Sequence, residues 1–268
     1  MKTTFRSVPA VAVLALLAAC GGSGNAALSK TFNYGSPQAP SSQEQSAAAS
    51  AQSGMADSAA FNTTADAAKG LAIVGLTGAL ATAALGDLGI AAAQPAHLSQ
   101  ALSVSDLSAC ATVSGNTVTF KNCSATEQGF SFSLNGSITA TSGAVGWNIS
   151  GSFSGTEVGV SFDITSHAAG NFTFTANAVN GNATSELNGS FSGGGQSTSI
   201  GVALAVVVDH LTTQAATQST PFCLTSGGLE IKRVWTQKPQ GVSGPGTNDA
   251  GVKIVWSACN TFLVARSQ

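Results

Sequence analysis

Charge is what this chain has least of. Only 8% of its 268 residues are Asp, Glu, Lys or Arg, against about 25% in an average protein. Lys232-Arg233 is its one adjacent basic pair. With no basic patch there is no electrostatic footing for nucleic acid, and no such partner is expected. Histidine is nearly as scarce: His97, His167 and His210 are the only three, and they lie apart from the cysteines, no two of which show close ligand spacing. That spacing argues against a zinc site. The chain also lacks a phosphate loop, a dinucleotide fingerprint, a calcium loop and a Gly-x-Ser-x-Gly elbow, so no cofactor, no metal and no catalytic residue is expected. A Ser-His-Asp arrangement stays open only because triads form in space rather than in sequence. Glu127, Glu157, Asp163 and Glu186 are scattered and read as solvated.

Small residues fill the gap that charge leaves. Against that background the five cysteines, Cys20, Cys110, Cys123, Cys223 and Cys259, stand out. Cys20 ends the run Leu17-Ala18-Ala19-Cys20. Ahead of it, Lys2 and Arg6 give a charged start, and Val8 to Ala19 form a short apolar core ending in small residues. Residues 1–19 thus fit a signal peptide, and the run resembles the lipobox of bacterial lipoproteins. The resemblance implies a diacylglyceryl group on the Cys20 thiol, a mature chain that begins there and an anchor in the cell envelope. Gly21 rather than an aspartate follows the cysteine, which in enteric bacteria points to the outer membrane, on either of its faces. The four remaining cysteines read as two disulfides of an exported protein. Of three possible pairings, Cys110–Cys123 and Cys223–Cys259 each bracket a plausible hairpin and are expected.

Residues 20–56 read as the lipidated cysteine and a tether, rich in Gly, Ser, Gln and Ala, with too little apolar area to fold alone; Phe32 and Tyr34 offer a local docking cluster. Residues 57–268 read as one β-rich domain that opens on a helix over about 58–93. Its stretch Leu71 to Leu85 is apolar all round, which predicts burial. Small residues, Gly75 and Gly78 among them, recur along it at spacings of three and four. A membrane-spanning helix with small-residue contacts is the alternative.

From Ala111 to His210 apolar residues alternate with polar ones, the mark of half-buried strands. The fold class expected is mainly β: an up-and-down antiparallel meander, curved or closed into a partial barrel, packed by the one small-residue helix. Turns are expected at Gly115-Asn116, Ser142-Gly143, Gly155-Thr156, Asn180-Gly181 and Gly193-Gly194-Gly195, with a loop at 165–171. The Ser142-Gly143 turn pairs Ile138 with Trp147 and Leu134 with Gly151. The later turns pair Ile149 with Phe162, Phe174 with Leu187, and Phe191 with Ile200. The C-terminal part reads as a further hairpin, with Leu229 and Ile231 on one arm and Val252 and Ile254 on the other.

Three segments repeat weakly, Leu134-Asn135-Gly136-Ser137-Ile138, Ile149-Ser150-Gly151-Ser152-Phe153 and Leu187-Asn188-Gly189-Ser190-Phe191. Each places a glycine on the apolar face. Interior strand glycine marks close approach of another backbone, so Gly136, Gly151 and Gly189 are expected to receive Gly75 and Gly78 of the helix. The rival reading is that these glycines only bend the sheet. Two functions remain: a non-enzymatic envelope protein of structural, surface or partner-binding role, or, because a curved antiparallel sheet with a helix over its mouth resembles the LolA and LolB lipoprotein carriers in architecture, a carrier of an apolar ligand. A hydrolase is the third.

Overall fold

The computed structural model describes residues 26–46, 48–49, 110–127, 129–141, 143–157, 159–175, 178–214, 223–238, 248–259 and 261–268. Cys20, the expected helix 58–93 with Gly75 and Gly78, and the long loop after Lys238 lie outside them.

Ten strands form one antiparallel sheet whose spatial order is the order of the chain. They are β1 (Ala111–Ser114), β2 (Thr117–Glu127), β3 (Phe130–Thr141), β4 (Ala144–Glu157), β5 (Val160–Thr175), β6 (Ala178–Gly193), β7 (Gln196–Gln214), β8 (Cys223–Gln237), β9 (Ala250–Ala258) and β10 (Thr261–Arg266). The sheet is not closed into a barrel: β1 and β10 remain its two edges. Both edges are short, which limits the row of unpaired backbone groups open to a foreign strand. Strand length rises to 19 residues at β7 and falls away on either side.

The first seven strands are joined by two-residue links. Ser114 pairs with Thr117, Glu127 with Phe130, Thr141 with Ala144, Glu157 with Val160, Thr175 with Ala178 and Gly193 with Gln196. The expected pairs Ile138–Trp147 and Leu134–Gly151 are present, as are Leu229–Ile254 and Ile231–Val252 of the C-terminal hairpin. Three expected breaks are continuous strand instead. β4 runs through Gly155-Thr156, β5 runs through 165–171, and β6 runs through Asn180-Gly181. In consequence Phe162 pairs with Gly155 rather than Ile149. Separately, the turn at Gly194-Gly195 is only two residues long, so Phe191 pairs with Thr198 rather than Ile200. β10 is an additional strand beyond the expected hairpin.

Asn-Gly at 135–136 and 180–181 serves a purpose other than turning the chain. Among the described residues, Asn122 and His210 are the two non-glycine residues with positive φ, at 51° and 45°. Each lies at a break in register, in β2 and β7 respectively. The Asn122 N–H donates to Asn135 Oδ1 at 2.7 Å, and the His210 N–H donates to Asn180 Oδ1 at 2.8 Å. The following glycines, Gly136 and Gly181, have φ of 129° and 146°. The asparagine satisfies the amide freed by the neighbouring bulge, and the glycine takes up a backbone angle that L-residues rarely adopt.

One face of the sheet is apolar. Its densest part lies toward β7–β10, where Leu211, Leu224, Leu229, Ile254 and Trp256 are no more than 2% exposed. The opposite face carries Ser, Thr and Asn on β3 to β6, with cross-strand hydroxyl pairs such as Ser133–Ser152 at 2.7 Å. Such pairs keep that face wet without charge.

Candidate functional site

Residues 26–49 correct the expected tether, for they are bound to the sheet on both faces and along one edge. The short helix α1 (Ala26–Ser29) lies on the polar face, where Ala27 joins Ala203 and Ala205 of β7 in a small apolar cluster, with Val234 of β8 against it. Burying Ala27 required an alanine-lined patch, and β7 supplies one within an otherwise hydroxylated face. Lys232 Nζ donates to the carbonyls of Leu28 and Lys30 at 3.2 and 2.9 Å. It therefore holds the C-terminal end of α1, where a helix leaves carbonyls without partners. Lys30 reaches Asp249 at 3.0 Å, and Asp249 also accepts the Trp235 N–H at 3.0 Å. Burial opposes the charge on Asp249, but the Trp235 amide and Lys30 outweigh it and hold the carboxyl below the usual range. Tyr34 donates to Glu230 Oε1 at 2.6 Å. Burial first, and the Glu230 carboxylate after it, pushes the Tyr34 phenol upward.

The chain then rounds the β10 edge. Gly35 N donates to Arg266 O, and Gln38 exchanges both backbone bonds with Val264 at 2.9 Å. Past the edge it turns into a second helical segment, 42–46, on the apolar side. Ser41 and Glu44 form a reciprocal capping box: Ser41 N donates to Glu44 Oε2 at 2.7 Å, and Glu44 N donates to Ser41 Oγ at 3.3 Å. This is an N-terminus signature readable in Ser41-Ser42-Gln43-Glu44. Glu44 is fully buried and bound by Arg266 Nη2 at 2.6 Å. Ala48 belongs to the main core with Val264 and Ile254. Residues 26–49 thus form a strap around β10.

Two charged residues of the sheet, Arg233 and Glu186, are buried without a full set of partners. Alternation along Leu229, Ile231, Arg233 and Trp235 puts Arg233 on the apolar face, and it is 1% exposed. Its Nη2 donates to Asn248 O at 2.9 Å, while Nε and Nη1 find no partner; burial lowers its pKa. Glu186, expected in solvent, is 5% exposed with Oε1 unpartnered. Its cross-strand neighbour is Ala203, the residue that meets α1.

Among the described residues, His167 and His210 are not joined to a nucleophile; His97 lies outside them. His167, expected in a loop, is mid-strand in β5, opposite Ser150 on β4 and Glu186 on β6. That row has the composition of a hydrolytic triad, but His167 Nε2 is bound to Asn148 Oδ1 at 2.7 Å. His210 lies within β7 rather than at its end, and its Nδ1 meets Asp209 at 2.6 Å with both side chains about four-fifths exposed. Among the described residues no cluster of His, Cys, Asp and Glu could hold a metal ion.

The glycines of the apolar face meet their own sheet. A Cβ on Gly136 would collide with Asn148 O and Ile149 Cα of β4, and one on Gly151 would lie 2.9 Å from Ser133 O. The atoms nearest a Cβ on Gly189 belong to Phe191, Ile200 and Ile164. Gly151 shares its row with Leu134, Ser166, Leu187 and Val202, not with Val160 and Ser185 as the expected registers had it. Phe130, Phe153 and Phe162 stack at 5.1–5.9 Å at the far end of this face, all three half-buried.

Both disulfides pair as expected. Cys110–Cys123 ties the entry of β1 to β2, and Cys223–Cys259 ties the start of β8 to the end of β9. No protein-family model, no curated protein and no solved structure matches this chain, so the reading of its role rests on its own residues.

Proposed function

We propose that this is a lipid-anchored protein of the bacterial cell envelope, with a structural or partner-binding rather than a catalytic role. The observation that carries the reading is the lipobox-like run ending in Cys20, set in a chain whose other four cysteines form two disulfides. Disulfides of this kind belong to oxidising compartments, which agrees with export. The domain offers a broad sheet, a strap and a fixed anchor point. Its two described histidines, His167 and His210, are engaged by Asn148 and Asp209, which favours binding over catalysis. The test is Cys20→Ser. Wild type should float with membranes, and the variant should appear in the soluble fraction or as unprocessed precursor. A variant that is processed and still floats refutes the anchor.

A second reading is a carrier of apolar molecules. It is favoured by the half-buried aromatic cluster Phe130–Phe153–Phe162 on an open sheet. Titration with a fluorescent fatty acid tests it: saturable binding that Phe153→Ala and Phe162→Ala weaken supports the carrier, and no binding removes it.

A further inference from the structure

Residues 21–25 separate Cys20 from Ala26, the first residue of the docked helix α1. Six Cα steps at full extension span about 20 Å. The 19-residue β7 on which α1 packs is itself about 60 Å long. A lipid on Cys20 would therefore hold the domain close to the bilayer, and by its polar face. Reaching past β10 from β7 takes three strand spacings, about 14 Å, and the sheet adds about 10 Å of thickness. The leash would be used up before the apolar face could turn toward lipid.

The polar face changes character beside α1. On β3 to β6 it presents Ser, Thr and Asn, but on β9 and β10 it presents Val255 and Leu263. These are two of the four exposed large hydrophobic residues among those described, at 43% and 47%. They are direct cross-strand partners. Exposed Lys253 precedes them on β9, and Phe32 of the strap lies over Gly251 on the same face. Gly251 stands opposite Lys232, the residue that holds α1. Val255 is four residues further along β9, about 13 Å, and so within reach of the leash. Scattered exposed apolar residues are ordinary; a paired set with a lysine, on the face from which a short leash leaves, is not scattered.

We infer that the polar face of β9 and β10, centred on Val255 and Leu263 with Lys253 beside them, rests on the bilayer that holds Cys20. This rests on the lipid-anchor reading. The anchor supplies the affinity, and the patch sets the orientation, with apolar side chains toward the acyl boundary and Lys253 toward anionic headgroups. The apolar face and its aromatic cluster then point away from the membrane.

The test uses the full-length lipidated protein in phosphatidylethanolamine–phosphatidylglycerol vesicles, with and without brominated acyl chains that quench tryptophan on contact. Tryptophan is added singly as Leu263→Trp, Val255→Trp and, for contrast, Val113→Trp, which is 75% exposed on the other face. After subtraction of the wild-type signal, brominated lipid should quench the added fluorescence at least twofold at positions 263 and 255 and leave position 113 unchanged. Equal quenching at all three positions, with the proteins still floating, overturns the orientation and leaves the anchor intact. Failure of the wild type to float overturns the anchor, and the orientation with it.

Discussion

The indole of Trp147 lies over Gly170, its direct cross-strand partner. A Cβ on Gly170 would enter the ring, whose Cε2 would be 2.8 Å away. The ring continues to Phe172 at a centroid distance of 5.6 Å, so the glycine is the seat of the aromatic column between β4 and β5. An aromatic ring that covers a strand glycine offsets the weakness of glycine in a sheet. Gly170→Ala should therefore destabilise the protein by about 1–3 kcal/mol, as overpacking does. Gly146→Ala, on the opposite face, meets only Gly170 O at 3.6 Å; it should be neutral or raise stability by up to about 1 kcal/mol through the unfolded chain. Thermal melts of the two variants give the comparison.

This pair also shows what the sequence made legible. Alternation fixed the parity of most strands. The misplaced partners of Phe162, Phe174 and Phe191 are each off by an even number of residues, so those side chains keep their face, whereas Ala178 pairs with Thr175 and falls on the polar side, leaving the apolar side to Val179. What alternation does not fix is where one strand ends and the next begins. His167-Ala168-Ala169-Gly170-Asn171 has poor strand propensity and reads as a loop. It is strand because Trp147 covers Gly170 and because Ala168 is buried between Ile149 and Ser185. Gly155-Thr156 read as a turn; Gly155 is seated under Phe130 and beside Phe162. The strap was invisible for a different reason. Its anchoring partners, Lys232, Glu230 and Arg266, lie about 200 residues away, and only the capping box at Ser41–Glu44 is local. The disulfides were legible because each closes over a neighbouring hairpin.

The two Asn-Gly clamps should separate into a weak and a strong half. Asn180→Ala removes the acceptor for the His210 amide at an exposed site where water can replace it, so about 0.5–1.5 kcal/mol should be lost. Gly181→Ala forces a side chain onto a φ of 146° and against Asn171 O; its cost should exceed that of Asn180→Ala by about 1–3 kcal/mol. Urea melts rank the pair, and faster hydrogen exchange of the His210 amide in Asn180→Ala identifies the bond. Equal losses in the two variants would contradict the clamp.

Arg266 and Glu44 close the strap on its far side. Removing the guanidinium leaves a fully buried carboxylate held by Ser41 alone. Arg266→Ala should cost about 1.5–3 kcal/mol, the range for a hydrogen bond to a charged group. The lower end is favoured because the Arg266 side chain is 43% exposed. Glu44→Gln with Arg266→Ala should recover part of the loss, since no unpaired charge is then buried. A double variant no better than Arg266→Ala would show that the charge is not what matters.

The near side of the strap should weaken at both ends of the pH scale. Asp249 has a folded pKa below its unfolded one. Its contribution is complete above the unfolded value, about 4, and is lost as pH falls through the folded value. Tyr34 has a folded pKa above its unfolded one. Its contribution is complete below the unfolded value, about 10, and is lost as pH rises toward the folded one. Melting temperatures of Asp249→Asn relative to wild type should converge at low pH, and those of Tyr34→Phe should converge at high pH. Convergence on the opposite flank in either variant would break the assignment.

The two disulfides should differ in what they protect. In the chain-entropy picture the 13-residue separation of Cys110–Cys123 is worth about 3 kcal/mol and the 36-residue separation of Cys223–Cys259 about 4 kcal/mol. Location widens the difference. Cys110–Cys123 holds the margin of the sheet, where β1 has four strand residues and Val113 is 75% exposed. Cys223 is fully buried beside Leu224, which belongs to the main core with Trp256 and Phe262. The paired alanine variant at Cys223 and Cys259 should therefore show the larger fall in melting temperature, with loss of near-ultraviolet signal from Trp256. The variant at Cys110 and Cys123 should retain that signal and lose hydrogen-exchange protection in β1 and the start of β2 alone. If both variants lose protection across β8 and β9, the first disulfide supports the whole sheet rather than its margin.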